Sequence, residues 1–381
     1  MIARAVVEVR ERATEAVGSD AGEIRAVRID STWRFTELRS AWDSVLQSSE
    51  NASPFLTWEW LHPWWTHLSG SSALRLLKVD AGNRPIAIAP LRLTTGVARL
   101  PCLDMLGTGA AGSDYLDVIT RSGFEAEALD AIERFVVAQR IALRLTHLAS
   151  SAAAAGVVSR LERQGWTQVT TPGGICPYIP LAGHTWDSYL ATLGASHRAN
   201  VRRRLRALEQ KFDVQFERVT GERDRRDALE RLTHYHQSRF DSGGTAFRTA
   251  ALCAFHEEAT RRFLDRGWLR MFVLRVNGAT AAVMYGFLYN GTFYFYQHGF
   301  DDSYQQYSIG LVLMALSIRA ALEEGAAEFD LLWGTEPYKF LWARHTRELH
   351  NVHLFPPHLG GRLHRGLFCA RRRLSAFIHA S

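Results

Sequence analysis

The stretch from Thr292 to Leu341 constrains the fold more than any other part of the chain. Phe293 and Phe295 alternate with Tyr294 and Tyr296, which is the period of a strand. A polar loop follows from Asp301 to Ser308. Gly310 then opens an apolar helix that runs to about Glu324, where Gly325 stops it. Glu328 to Trp333 reads as a second strand, and Gly334 as the start of a polar turn before a further helix near Pro337. A strand, a loop and a buried helix in that order place a helix N-terminus beside a sheet.

At 381 residues the chain has length for two domains, each with its own core. Its net charge of +6 is carried almost wholly by arginine, since Lys78, Lys211 and Lys339 are the lysines. That balance suits anionic small ligands, a membrane surface or nucleic acid, and alone selects none of them. Cys102, Cys176, Cys253 and Cys369 are far apart with no CxxC, which argues against a zinc site and a disulfide framework. Glu8, Arg10, Glu11 and Arg12 stand where a signal peptide needs an apolar core, and the helix after Ile309 reaches Arg319 too soon to span a bilayer. These features lead us to expect a reduced, cytoplasmic protein.

In chain order, residues 1–21 read as a flexible extension, Ile24 to Ile29 as a strand and Thr36 to Gln47 as a helix. The helix after Pro54-Phe55 carries Trp58, Trp60, Trp64 and Trp65, a pattern that suits core packing better than ligand stacking. Leu74–Val79 and Pro85–Leu93 read as a hairpin. Gly107 to Gly112 spells GxGxxG, but it runs into Ser113–Ile119, which looks like a strand. A dinucleotide loop would open a helix, so a turn is expected here. A strand at Leu143–Leu148, a helix at Ala152–Gln164 and a strand into Cys176–Leu181 complete the first half, with a boundary near Ala182-Gly183. In the second half the helix Ala195–Lys211 is very basic, and its arginines can be a solvated face or a clamp for phosphate. Arg198 and Arg202 are its candidate substrate-binding residues. Nucleic acid is disfavoured, because no aromatics are interleaved with these arginines. Asn277-Gly278 and Asn290-Gly291 mark two tight turns joining three antiparallel strands.

Gln305-Gln306-Tyr307-Ser308-Ile309-Gly310-Leu311 lies at the N-terminus of the apolar helix, where unpartnered N–H groups and the positive dipole end can receive a pyrophosphate. The pattern Gln-x-x-Ser-x-Gly resembles the coenzyme A loop of GNAT acetyltransferases, with serine replacing the first glycine. Together with Gly299-Phe300-Asp301, Phe329-Asp330, Gly334-x-Glu336-Pro337-Tyr338-Lys339, and upstream Ser113-Asp114-Tyr115, it resembles the CelD/BcsL-type GNAT acetyltransferases of cellulose and exopolysaccharide biosynthesis in bacteria. The resemblance spans residues 25 to 355. It departs at Ile309, where the family usually has proline.

This resemblance implies an α/β (α+β) fold of two tandem GNAT-like domains, each a mixed, mostly antiparallel sheet flanked by helices. A degenerate first domain would cover 22–182, a catalytic domain 183–357 and a basic amphipathic tail 358–381. It also implies acetyl-CoA or another acyl-CoA as co-substrate, held by Gln305, Tyr307, Ser308, Ile309, Gly310 and Leu311. The acceptor would be a small molecule or glycan, on the way to a sugar, polysaccharide or cell-envelope product. The chemistry needs a base, an oxyanion donor and a proton for the leaving thiolate. Glu336, Asp330 and His298 are the candidate bases, backbone N–H groups near Gln297–Gly299 the oxyanion donors, and Tyr338 the acid. Lys339 either meets a substrate anion or pairs with Asp330 or Glu336. The other readings are a FemABX-like aminoacyltransferase that uses aminoacyl-tRNA and a non-catalytic partner of a polysaccharide synthase. Neither His234/His236 nor His345/His350/His353 has zincin spacing, so no metal is expected. Leu363, Leu367, Ala370, Leu374 and Ile378 share one face of the tail with arginines elsewhere. The tail is therefore either a helix docked on the domain or one lying on an anionic membrane.

Overall fold

The computed structural model describes residues 22–109, 111–238 and 246–380, so the expected extension at 1–21 lies outside the described residues. The first half contains β1 (Ile24–Ile29), α1 (Thr32–Glu37), α2 (Arg39–Leu46), α3 (Trp58–Leu68), β2 (Ala73–Leu74), β3 (Leu76–Ala81), β4 (Arg84–Ala89) and β5 (Leu91–Thr95). It continues with β6 (Pro101–Met105), β7 (Ile119–Thr120), α4 (Glu125–Gln139), β8 (Ala142–Ala149), α5 (Ala154–Arg163) and β9 (Thr167–Pro180). The second half runs α6 (Trp186–Thr192), α7 (Ala195–Lys211), β10 (Val214–Arg218), α8 (Glu222–Ser238), α9 (Ala250–Asp265), β11 (Leu269–Val276), β12 (Ala279–Tyr289) and β13 (Thr292–Phe300). After these come α10 (Ile309–Glu323), β14 (Glu328–Asp330), α11 (Lys339–Trp342), β15 (His345–Phe355) and α12 (Leu359–Ala380).

Among the described residues one sheet of eleven strands crosses both halves in the order β10-β11-β12-β13-β14-β9-β15-β8-β6-β5-β2, and β1-β3-β4-β7 form a smaller one. Each half contributes one parallel pair with a helix between its members: β6 and β8 flank α4, and β13 and β14 flank α10. The other neighbouring pairs of the large sheet are antiparallel. This is the expected tandem plan of mixed, mostly antiparallel sheets. The position expected for a boundary, 182/183, falls between β9 and α6, and the sheet runs across it. The join is β15, which pairs with β9 on one side and β8 on the other.

The two Asn-Gly turns form as expected. Asn277 and Gly278 have φ of 50° and 79°, and Asn290 and Gly291 have 46° and 76°, the left-handed pair that tight hairpins require. Aromatic alternation in β13 then sorts its side chains onto two faces. Phe293 and Phe295 join Met284, Val312 and Leu313 in one core, with Phe293 stacked on Phe329 at 4.6 Å. Tyr294 and Tyr296 join a second core with Tyr285 and Phe287, shared with the first half. Trp60 of α3 reaches into that core, edge-on to Phe255 at 4.8 Å and Tyr296 at 5.3 Å. Such pairs contribute about 0.5–1.5 kcal/mol each beyond buried area, so the tryptophan helix cements the halves.

Several expected elements are shorter or different. The segment 113–118 is not a strand, and only Ile119–Thr120 pairs. Its polar residues are buried anchors instead: Asp117 accepts backbone N–H groups from Val118, Ala153 and Ala154 at 2.7–2.8 Å. The glycine run before it is a turn, Ala110 lying outside the described residues, and Tyr296 donates its hydroxyl to the Ala111 carbonyl. The strand expected at 328–333 stops at Asp330, and the helix near Pro337 is the single turn α11.

Candidate active site

β13 and β14 run parallel for three residues, Thr292 to Tyr294 against Glu328 to Asp330, and then separate. From Phe295 to Phe300 the β14-facing edge of β13 therefore has no strand beside it. A bulge at Tyr296 shifts the register against β12 at the same level and turns the strand. The expected oxyanion donors, Gln297 to Gly299, lie on this freed segment. A cavity of about 220 Å³ occupies the gap, lined by Phe295, His298, Phe300, Gly310, Leu311 and Tyr338 among others.

One end of the cavity is the start of α10. Ser308 is its N-cap and has φ of 56°, a left-handed conformation in which glycine is at ease, the residue type this serine replaces in the resembling loop. Its carbonyl accepts the N–H groups of Leu311 at 2.9 Å and Val312 at 3.2 Å, while those of Ile309 and Gly310 have no acceptor within the helix. Ile309 is fully buried in the core, so it offers a ligand only its backbone. A Cβ on Gly310 would sit 3.0 Å from the Phe300 ring, so glycine is what keeps this wall open. Gln305 and Tyr307 precede it in a 3-10 turn, where the Gln305 carbonyl accepts the Ser308 N–H at 2.9 Å. The donors and the open wall fit a coenzyme A pyrophosphate and its pantetheine arm.

The basic helix α7 braces this loop through Arg204 and Lys211, while its two candidate substrate-binding arginines make other contacts. Arg204 donates to the Gln306 carbonyl at 3.1 Å, and Lys211 to the Tyr307 hydroxyl at 2.7 Å. Arg198 instead donates to the Ala191 and Leu193 carbonyls, which closes the end of α6. Arg202 makes an exposed pair with Asp187 at 3.4 Å. Heptad position alone does not show which arginine of a basic helix meets a loop 102 residues away.

Tyr338 closes the other side of the cavity. Burial raises its pKa, reinforced by the Glu336 carboxylate, so the phenol keeps its proton at neutral pH. The His298 ring lies 5.9 Å from the Tyr338 ring and 5.2 Å from that of Phe295.

The remaining candidates line other surfaces. Asp330 is buried at the last paired position of β14. It accepts the Tyr115 hydroxyl at 2.6 Å, the Leu332 N–H at 2.7 Å and Arg347 at 3.1 Å. Burial outweighs these donors and pushes its pKa up to about 7. It borders a separate cavity of about 250 Å³ with Ser53, Asp117, Tyr294 and Arg347. Lys339 is buried and tied down, donating to the Trp333 carbonyl at 2.7 Å and pairing with Glu336 at 3.1 Å. Of its two expected partners it takes Glu336. Glu336 itself is exposed on the wall of a third cavity of about 700 Å³, with Gly174, Trp333, Thr335 and His350. The segment 333–338 thus separates two cavities, with Trp333 to Glu336 on one and Tyr338 on the other.

First-half residues hold that segment. Buried Asp114 accepts the Trp333 N–H at 2.8 Å and lies 3.4 Å from His147 Nδ1, while Gly173 takes the Trp333 indole N–H at 3.0 Å. Burial lifts Asp114 to a pKa of about 6. Asp114 and Tyr115 belong to the motif quoted from the sequence, which was the available signal. His147 and Arg347 carried none. Among the described residues, no group of three or more His, Cys, Asp or Glu is placed to hold a metal ion.

Comparison with known proteins fits this geometry. Residues 195–340 match the family model described as acetyltransferase (GNAT) domain. No curated protein matches the sequence. Among solved structures the chain is similar to FemX, at 11% identity, 90% coverage of this chain and 99% of that one, with a TM-score of 0.61. It is also similar to L-PGS from Bacillus licheniformis (11%, 88% and 96%, TM-score 0.54) and to a conserved protein of unknown function from Bacteroides thetaiotaomicron VPI-5482 (14%, 87% and 100%, TM-score 0.53). At these identities the likeness is one of fold, along most of the chain. The family match adds that residues 195–340, which carry the α10 start and most of the cavity beside it, are similar to a GNAT acetyltransferase domain.

Proposed function

We propose that the protein transfers an acyl group from acyl-CoA, acetyl-CoA first among them, to a hydroxyl or amine of a sugar or cell-envelope precursor. The observation that carries this reading is the separation of β13 from β14 after Tyr294, with the open helix start at Ser308–Gly310 beside the gap. The pyrophosphate would take the free N–H groups of Ile309 and Gly310, and the thioester would lie along Phe295–Gly299. Freed backbone donors there would stabilise the oxyanion as the acceptor attacks the carbonyl carbon. When the C–S bond breaks, Tyr338 would give its proton to the thiolate. The acceptor would approach from the larger cavity, where Glu336 and Glu348 are exposed carboxylates and Glu336, beside Tyr338 in the chain, would take the acceptor's proton. His298 would be a wall of the thioester site, and Asp330 an anchor rather than a base, since three donors already hold it.

The similarity of fold to FemX supports a second reading, an aminoacyl-tRNA donor at the same gap. Calorimetry with acetyl-CoA separates the two. Binding to the wild type and its loss in Gly310→Asp, where a carboxylate would face the pyrophosphate, is the expected result. At about 5 Å each pair of unit charges repels by ~1–3 kcal/mol, a loss of tenfold or more. Absence of acetyl-CoA binding together with steeply salt-dependent tRNA binding would replace the first reading with the second.

A further inference from the structure

The last helix is docked, and its docked face is not its leucine face. Gly361 and His364 of α12 are buried, and Phe368 packs on His353 at 4.3 Å and on Phe355 at 5.6 Å between ring centres. With about 100° per residue, these three positions share one side of the helix. Leu359, Leu363, Leu367 and Leu374 fall on an arc of roughly 80° on the other side. They remain 83%, 62%, 38% and 65% exposed. Both readings of the tail therefore meet in one element, which attaches to β15 by one face and turns a leucine stripe outward by the other. Ile378, which the sequence adds to that stripe, lies where side chains are not described.

Charge defines what can cover the stripe. Arg371 borders it on one flank and Arg362 and Arg373 on the other, all exposed, and Arg365 and Arg372 are exposed further round. No Asp or Glu follows Glu348 in the sequence, so no carboxylate of α12 offsets these charges. A second copy seated stripe to stripe would bring two such arginine borders together without counter-charge. We infer that α12 lies on an anionic lipid surface, its leucines entering the acyl boundary and its flanking arginines reaching lipid phosphates. Its docked face fixes the orientation of the whole enzyme on the bilayer. The inference does not depend on the acyl donor.

The test is flotation of the full chain with vesicles of phosphatidylcholine and phosphatidylglycerol, and with phosphatidylcholine alone. The wild type is expected to float with the anionic vesicles and to lose that association as salt rises. L363Q/L367Q/L374Q should weaken partitioning about tenfold or more, and R371S/R373S by about fivefold per arginine. The substituted side chains are exposed, and an unchanged thermal melt would confirm that the variants are folded. No flotation with anionic vesicles at low salt, equal flotation with the neutral ones, or indifference to the leucine variant would each overturn the inference. So would a lipid-free dimer that the leucine variant abolishes, since the stripe would then belong to a second copy.

Discussion

Tyr115→Phe removes one hydroxyl from a side-chain contact between β14 and the first half, and its cost should depend on pH in a direction that can be worked out. Burial pushes the Asp330 pKa up to about 7 in the folded protein, from about 3.9 for an ordinary aspartate. For an acid whose folded pKa is raised, the folded state holds more protons than the unfolded one between those values. Stability is then greatest below about pH 4 and declines as pH rises to about 7, by about 4 kcal/mol for this group. The Tyr115 hydroxyl opposes that decline, because it donates at 2.6 Å to the carboxylate. A bond to a charged acceptor contributes about 1.5–3 kcal/mol and one to a neutral carboxyl about 0.5–1.5. Without it the folded pKa of Asp330 should climb further. Urea denaturation followed by tryptophan fluorescence should therefore show Tyr115→Phe less stable than wild type by about 1 kcal/mol at pH 5.5 and about 2 at pH 9. Other titrating groups are common to both proteins and cancel. A difference that is the same at both pH values, or larger at the lower one, would refute the reasoning that Asp330 is the charged partner.

Two more outcomes follow from buried groups. Tyr338→Phe keeps the ring beside His298 but removes the proton, so thiol release from acyl-CoA should slow about 10²–10⁴-fold with acyl-CoA affinity unchanged, measured by stopped-flow and calorimetry. Arg225 is fully buried and meets Glu222, Glu257 and the Thr260 hydroxyl at 2.7 Å. Arg225→Met should cost about 2–4 kcal/mol in the same urea titration, at the low end if Glu222 and Glu257 turn to solvent.

What the sequence disclosed was local, and what it hid was distant. The Asn-Gly turns, the two faces of β13 and the helix start at Ser308–Gly310 each follow from residues within a few positions of one another. β15 escaped notice because HTRELHNVHLF is largely polar at its start. Its strand character comes from lying between β8 and β9, which supply partners on both edges. The contact of Asp330 with Tyr115, 215 residues away, is invisible in a linear text. In α7 the arginines could be seen, but which of them met carbonyls of α6 and which met the loop was decided by how the helix docks. The segment at 113–118 misled in the opposite sense. Its buried carboxylates, Asp114 and Asp117, hold backbone N–H groups of neighbouring segments rather than facing a strand ladder.

The insertion of β15 between β8 and β9 also bears on how the chain is made. Both flanking strands leave the ribosome early, and the strand that joins them follows ~165 residues after Pro180. At about 5–20 residues per second that interval is roughly ten to thirty seconds. Through it, β8 and β9 each carry an open edge able to pair with another nascent chain. The two halves therefore resemble repeats in plan but cannot be released as separate folding units. Chaperone demand during synthesis should be set by the first half, and relieved only when the last strand arrives.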